Sequence, residues 1–586
     1  MQENGLGAAD VSAVSEDHGV PIDPLSAKRV EVVRGPAVLR YGSEAIGGVV
    51  NIINNRIPTA RPKGGFEGEI STAYDHVNYG RQGYADLNLA TGNVVWHVDT
   101  FARKTGNYRA PGLPTKREPH TWTESAGVAG GASVLFDNEH FGGHAGVSVS
   151  HYDSEYGIPA PEDPLDPIHI EMRQTKVQAS SALEFASGFV SAIELTGGYS
   201  DYSHGEIDGA GATGSRFDNE EWEGRAELLH RAIGPFTGAI GVQLRNRQIV
   251  AAGEGGELLA PTETDAVAGF IFEEMPIGDS LKLQLGGRVE HVDVSGRALD
   301  VTVPLAPFDF PVSRSFTPVS GSAGLVYALD GGWVLGATAQ HVERAPDALE
   351  LFSKGPHEAT ETFELGDPTL GKEKARSFEL NARREGEDFS FEASVFHTSF
   401  NDFIYKRLTG ETCDDDFDTC TPHGAGNELD QVLFTQEDAT FRGFEAAARA
   451  TLIRWATGRA GVTGQFDVVR ATLDAGGNVP RIPPMRAGAG VFFDEERISG
   501  SLGFLHAFKQ DRLEANETET GSYTNLKAEL RYRLMQPNAH NSNVGLELAL
   551  VGENLLDHDI RQHTSFKKDD VLQPGRNVRL AVTARF

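Results

Sequence analysis

From Phe66 to the terminal Phe586 the sequence repeats one pattern, apolar residues at every second position with polar or charged residues between them. In HVDTFAR, Val98, Thr100 and Ala102 oppose Asp99, Phe101 and Arg103. In LKLQLGGRVEHVDV, Leu281, Leu283, Leu285, Gly287 and Val289 share a face opposite Lys282, Gln284, Gly286, Arg288 and Glu290. NVGLELALVGEN aligns Val544, Leu546, Leu548 and Leu550, and the closing NVRLAVTARF aligns Val578, Leu580, Val582, Ala584 and Phe586. Period two with one apolar face is the signature of a half-buried strand. A soluble sandwich can show this alternation with its polar face outward. Its persistence to the end of the chain, with no helical period of comparable length, favours one closed sheet. A membrane demands such closure, because an edge exposed to lipid leaves backbone groups unpaired.

Turns such as ALDGGW are short, whereas HYDSEYGIPAPEDPLDPIHIEMRQ is long, and this asymmetry is that of outer-membrane barrels. At roughly 24 residues per strand and following loop, the alternating region predicts a barrel of about 22 strands, a size class that carries a plugged lumen. No run approaches the roughly 20 apolar residues of a membrane helix. The net charge of −32 comes from 84 Asp and Glu against 52 Lys and Arg. With no run of Lys and Arg, nucleic acid is excluded as a partner. The acidity reads either as solvated loops or as a mouth that concentrates cations. The two cysteines, Cys413 and Cys420 in ETCDDDFDTC, read in an exported protein as a disulfide pinning one extracellular loop. The alternative is a thiolate metal site, although such sites usually gather three or four ligands.

Residues 1–63 break the alternation. Arg29 to Val33 (RVEVV) reads as a short strand, Gly35-Pro36 as a turn, and Val49 to Asn54 (VVNIIN) as a buried strand. Arg61 to Gly65 (RPKGG) reads as a linker into the barrel.

The run VEVVRGPAVLRYGSEAIGGVVNII resembles the plug signature of TonB-dependent receptors. RAPDALELF (Arg344 to Phe352) with LGDPTLGKEKARSFELN resembles the mid-barrel signature of that family. FRGFEAAA (Phe441 to Ala448) and VGENLLDHDIRQH (Val551 to His563), with the terminal Phe586, resemble its C-terminal signatures. The resemblance implies an all-β membrane protein, in which residues 1–63 are the C-terminal part of a plug and residues 64–586 a transmembrane barrel in the outer membrane. It implies energy supplied by the TonB-ExbB-ExbD complex through a box at the front of the plug. MQENGLGAADVSAVSEDHG has neither the basic start nor the apolar run of an export signal, so the plug front, the box and a signal peptide are expected upstream of Met1.

Within the family the likeness is to zinc-uptake receptors. It is carried by SEDHGVPIDPL ahead of the plug motif, by HYDSEYGIP with HIEMRQTK, and by HVERAPDALELFSKGPHEATETFELGDPTL. Zinc without thiolates takes imidazole and carboxylate in a tetrahedron. The resemblance implies that Asp17 and His18 bind metal at the plug apex, with further ligands from the barrel wall. Glu223, in NEEWEGRAEL on the lumen face with Glu221, Arg225 and Glu227, is the first wall candidate. His397, in EASVFHTSFND near the outer end of a strand, is the second. Its partners Val395 and Ala393 suggest a lipid-facing register that a bulge would have to reverse. His140, His144, His151, His169 and His204 are expected to gather at the mouth. The stretch APEDPLDPIHIEM carries one histidine and several acids where zinc receptors carry a dense histidine loop, which leaves room for another divalent cation or a chelate.

Three readings of function follow. The first is import of zinc or a similar divalent metal, the metal being cargo and not a catalytic cofactor. The second is import of a siderophore, haem or a vitamin. The third is a surface barrel that transports nothing, an adhesin or a remnant. The sequence holds no G-x-S-x-G elbow, H-E-x-x-H or phosphate loop, so an enzyme is not expected.

Overall fold

The computed structural model describes residues 1–12, 18–42, 46–160, 167–300, 308–357, 360–414, 420–422, 429–536 and 544–586. The alternating region closes into an antiparallel barrel of 22 strands. The last strand, Asn577–Arg585, pairs with the first, Phe66–Asp75, in a register that sets Arg585 opposite Glu69 and Arg579 opposite Asp75. No helix among the described residues is long and apolar enough to cross a membrane.

The face that the alternation hides is inverted relative to a soluble sheet. Val98 is 46% exposed, while its neighbour Asp99 is 2% exposed. In the strand Leu281–Asp300, Leu285 and Val289 point out, and Arg288 and Glu290 are buried. The apolar side chains face lipid, and the buried acids and bases face a lumen filled by protein. One end of the barrel is closed by short turns, such as the Asp330–Gly332 turn that joins Val319–Leu329 to Trp333–Arg344. At the other end the strands run far beyond this belt, Phe389–Cys413 and Leu429–Trp455 being the longest pair. The outer end of the first carries Cys413, which faces Cys420 of the short strand Cys420–Pro422, and the two sulfurs lie 2.05 Å apart. A thiol-specific maleimide should label neither cysteine in the non-reduced protein, and labelling of both would show that the bond does not form.

Inside the barrel, the strands Gln2–Glu3, Leu6–Gly7, Arg29–Val33 and Val49–Ile53 form a four-stranded sheet. The last of these is half-buried rather than buried throughout, with Val49 and Ile52 covered and Val50 exposed. Buried ion pairs hold this sheet to one side of the wall. Arg56 bonds Asp99 at 2.9 Å, Arg103 bonds Asp23 at 3.0 Å and Lys176 bonds Glu3 at 3.2 Å. Removing one partner of such a pair strands a charge out of water, so these contacts fix the position of the plug. Higher up, Gln174 donates to the Ala9 carbonyl at 2.8 Å and Arg247 to the Asp10 carbonyl at 2.6 Å. The plug apex is thereby presented to the upper ends of the wall strands.

Among the described residues, part of the mouth is covered. The helix Ala348–Phe352 and the hairpin of Lys354–His357 with Thr362–Leu365 fold inward from the extracellular end. Leu349, Leu351 and Phe352 pack with Tyr202, Phe217 and Val11 in one apolar cluster over the plug apex. The helix starts on a capping box, Asp347 accepting from the first turn while Glu350 reaches back to the Asp347 amide.

Candidate metal centre

The strand Val190–Ile207 ends in DYSHGEI. Its alternation points Tyr202, His204 and Glu206 into the lumen, where all three are buried. The next strand, Thr213–Ile233, sets Phe217 opposite His204, and the two rings stack at 4.8 Å. From the plug side His18 enters the same space, its ring centroid 4.4 Å from that of His204 and 5.2 Å from that of Phe217. The Gly19 amide next to it donates to the Tyr156 hydroxyl at 2.8 Å, which locks the apex to the wall.

Hydrogen bonding decides which ring nitrogens face one another. His18 Nδ1 lies 3.1 Å from the Val11 carbonyl. A carbonyl only accepts, so this nitrogen carries the proton and the lone pair of the neutral ring sits on Nε2. That Nε2 is 3.4 Å from Glu206 Oε1. Two acceptors are thus aimed at each other, and they are satisfied either by a second proton on His18 or by a cation between them. His204 also turns its Nε2 towards Glu206: its Nδ1 meets the Tyr202 hydroxyl, a group that both donates and accepts, at 3.0 Å, and its Nε2 lies 3.9 Å from Glu206 Oε1. The donor atoms of His18, His204 and Glu206 all fall within 4.8 Å of one another. Two imidazoles and one carboxylate form a three-ligand set of the kind zinc takes when a fourth position is left to water or another ligand.

A third imidazole borders the set. His357, at the end of the inward-folded hairpin, has its ring 6.0 Å from that of His18. Its Nδ1 is 3.2 Å from Glu364 Oε1, which also accepts from Lys406 at 2.6 Å. Burial pushes the Glu364 carboxyl up, but the Lys406 ammonium and the His357 contact outweigh it and hold its pKa down at about 2. Its folded pKa lies below the unfolded value, so the stability it lends the hairpin is present above the ordinary carboxylate range. That stability is lost as pH falls towards about 2. A carboxylate behind a ligand imidazole fixes the ring and raises its basicity.

The residues expected from the sequence fare differently. His18 is at the centre of the group, and Asp17 lies outside the described residues. Glu223 does face the lumen but stands apart from the cluster, because it is engaged lower on the wall by the Gly7 amide at 2.7 Å and the Gln243 amide at 2.6 Å. It is a plug-to-wall clasp. His397 is exposed on the outer face beside Val395, with no bulge to turn it inward, and sits in the lower part of Phe389–Cys413 rather than near its outer end. Of the five histidines expected at the mouth, only His204 reaches the group. His140 and His144 lie by the turn at the opposite end, and His151 and His169 lie on the outside of the wall. Sequence reasoning missed Glu206 and His357. The first was legible, since H-G-E in an alternating strand puts both side chains on one face. The second was not, because a loop that folds back into a barrel has no periodicity to betray it.

A closed barrel with a lipid-facing apolar belt and a plug that meets the wall at a cluster of ligand atoms is the architecture of a plugged outer-membrane receptor. The chain belongs to the TonB-dependent receptor family: residues 121–555 match its beta-barrel (TonB dependent receptor-like, beta-barrel) and residues 1–49 its plug (TonB-dependent Receptor Plug Domain). Among solved structures it resembles the copper transporter OprC, with a TM-score of 0.80 at 16% identity over 100% of this chain and 90% of that one. It also resembles the FrpB iron transporter from Neisseria meningitidis (F5-1 variant), with a TM-score of 0.74 at 14% identity over 100% and 92%. At such identities the likeness is one of fold. A curated relative, the ferric enterobactin receptor PirA of Pseudomonas aeruginosa, is 58% identical over 43 residues, which span 7% of this chain and 6% of that receptor.

Proposed function

We propose that this chain imports a divalent transition metal, zinc first among them, across the outer membrane, energised through the TonB-ExbB-ExbD complex. The observation that carries the reading is the convergence of His18 from the plug with His204 and Glu206 from the wall. A ligand set divided between plug and wall holds cargo only while the plug is seated, so moving the plug breaks the set and releases the ion. The donors are nitrogen and oxygen with no sulfur, a set that suits zinc and copper(II) better than copper(I). Two of the structural neighbours are named as metal transporters, one of copper and one of iron, which is in keeping with metal cargo. A siderophore, haem or vitamin would need room above the plug, and there the described residues are packed with apolar side chains.

The test is a zinc titration of the detergent-solubilised chain at neutral pH beside its His18→Ala variant. Wild type should bind one zinc tightly in the lumen, and the variant should bind it at least about tenfold more weakly, the cost of losing even an outer partner of a ligand. Unchanged affinity would make the cluster a structural contact and bring the organic-cargo reading forward.

A further inference from the structure

We propose that Glu155, His169 and Glu171 form a second divalent-metal site, on the outside of the barrel wall, that clips together the extracellular ends of two neighbouring strands. The strands Phe141–Gly157 and His169–Phe185 pair in a register that sets Glu155 directly opposite Glu171. On the other side of Glu155, the strand Thr123–Asp137 sets Glu124 opposite it. Three carboxylates therefore stand in one row across three strands, where like charges directly opposite are destabilising. Of the bases nearby, one pairs within the row. Lys104 pairs with Glu124 at one end of the row, and Arg173 stands opposite Asp153 one outward position below.

What faces both Glu155 and Glu171 is an imidazole. His169 Nε2 lies 3.9 Å from Glu155 Oε1 and 3.9 Å from Glu171 Oε1, too far for a hydrogen bond to either. The three ligand atoms fall within 4.8 Å of one another. Bonds of about 2.0–2.2 Å in a tetrahedron require ligand atoms about 3.3–3.6 Å apart, which a small turn of the glutamate side chains supplies. The Trp122 ring, 5.9 Å from that of His169, limits the rotation of the imidazole. One imidazole and two carboxylates suit a zinc-like ion, whereas magnesium and calcium call for more oxygen ligands. The ion would cancel the repulsion of the row.

This site cannot feed the lumen. Ile170 and Met172, which alternate with His169 and Glu171, are buried on the inner face, and Val149 and Val177 mark the lipid belt below the row on the outer face. The inference does not rest on the lumen site, and its test separates the two. Hydrogen exchange of the detergent-solubilised His18→Ala chain is measured with and without zinc, then repeated with His169→Ala or Glu171→Gln added. Zinc is expected to slow exchange at residues 155–157 and 169–171 in the His18→Ala chain. Either added change should raise the zinc concentration needed by at least about tenfold. Zinc that slows these amides equally in all three chains, or in none, would overturn the proposal.

Discussion

Glu206→Gln is expected to weaken zinc binding by about 100-fold, or about 2.7 kcal/mol, at neutral pH. Glu206 is the one anion of the lumen group and the atom that both His18 and His204 face. In a buried, water-poor site a charged ligand is worth more than the same contact in solvent. The amide keeps the shape of the carboxylate and can donate to neutral His18 Nε2, so the variant should fold and melt as wild type does without zinc. Calorimetric titration in two buffers of different ionisation enthalpy gives a second reading. If a proton on His18 fills the gap to Glu206 in the apo chain, zinc must expel it, and wild type should release a proton that the variant does not. Equal zinc affinity in the two proteins would remove Glu206 from the site.

Arg344→Ala should open the mouth. Arg344 makes a two-pronged contact with Glu350 at 2.8 and 2.9 Å and a second with Glu373 at 3.1 and 3.2 Å. Glu373 in turn accepts from the Ile404 amide, and Glu350 from the Asp347 amide, so one guanidinium ties the helix to the wall. Truncating it leaves two buried carboxylates facing each other, a loss of about 3–5 kcal/mol. The loss falls on the cap rather than on the barrel, whose backbone ladder it does not touch. Limited proteolysis should therefore cut within 345–372 in the variant under conditions that leave wild type intact, while the barrel itself stays folded. Zinc should also bind more weakly, because His357 hangs from the same cap. An unchanged digestion pattern would show that the apolar cluster alone holds the cap.

What could be read from the sequence is what a period can encode. Alternation at Val98 and Asp99, or at Leu285 and Arg288, is local, since each residue's face follows from its neighbours through the geometry of a strand. It gave the strands, their lipid faces and, with the length, a closed sheet of about 22. The plug motif and His18 were legible because they resemble a known pattern over a continuous run. Which wall residues would meet His18 was not, because that depends on how deep the plug sits and on the angle at which it leans against the wall. Glu223 and Glu206 lie on neighbouring strands and share the lumen face, so periodicity cannot choose between them. Only the tertiary contacts of Gly7 with Glu223 and of Gly19 with Tyr156 fix the height that gives one carboxylate to the plug backbone and the other to the histidines. His357 owes its place to a hairpin whose strand Thr362–Leu365 pairs with Leu429–Trp455 and whose Phe363 packs on Cys413 and Leu429, contacts between distant parts of the chain that no local pattern carries.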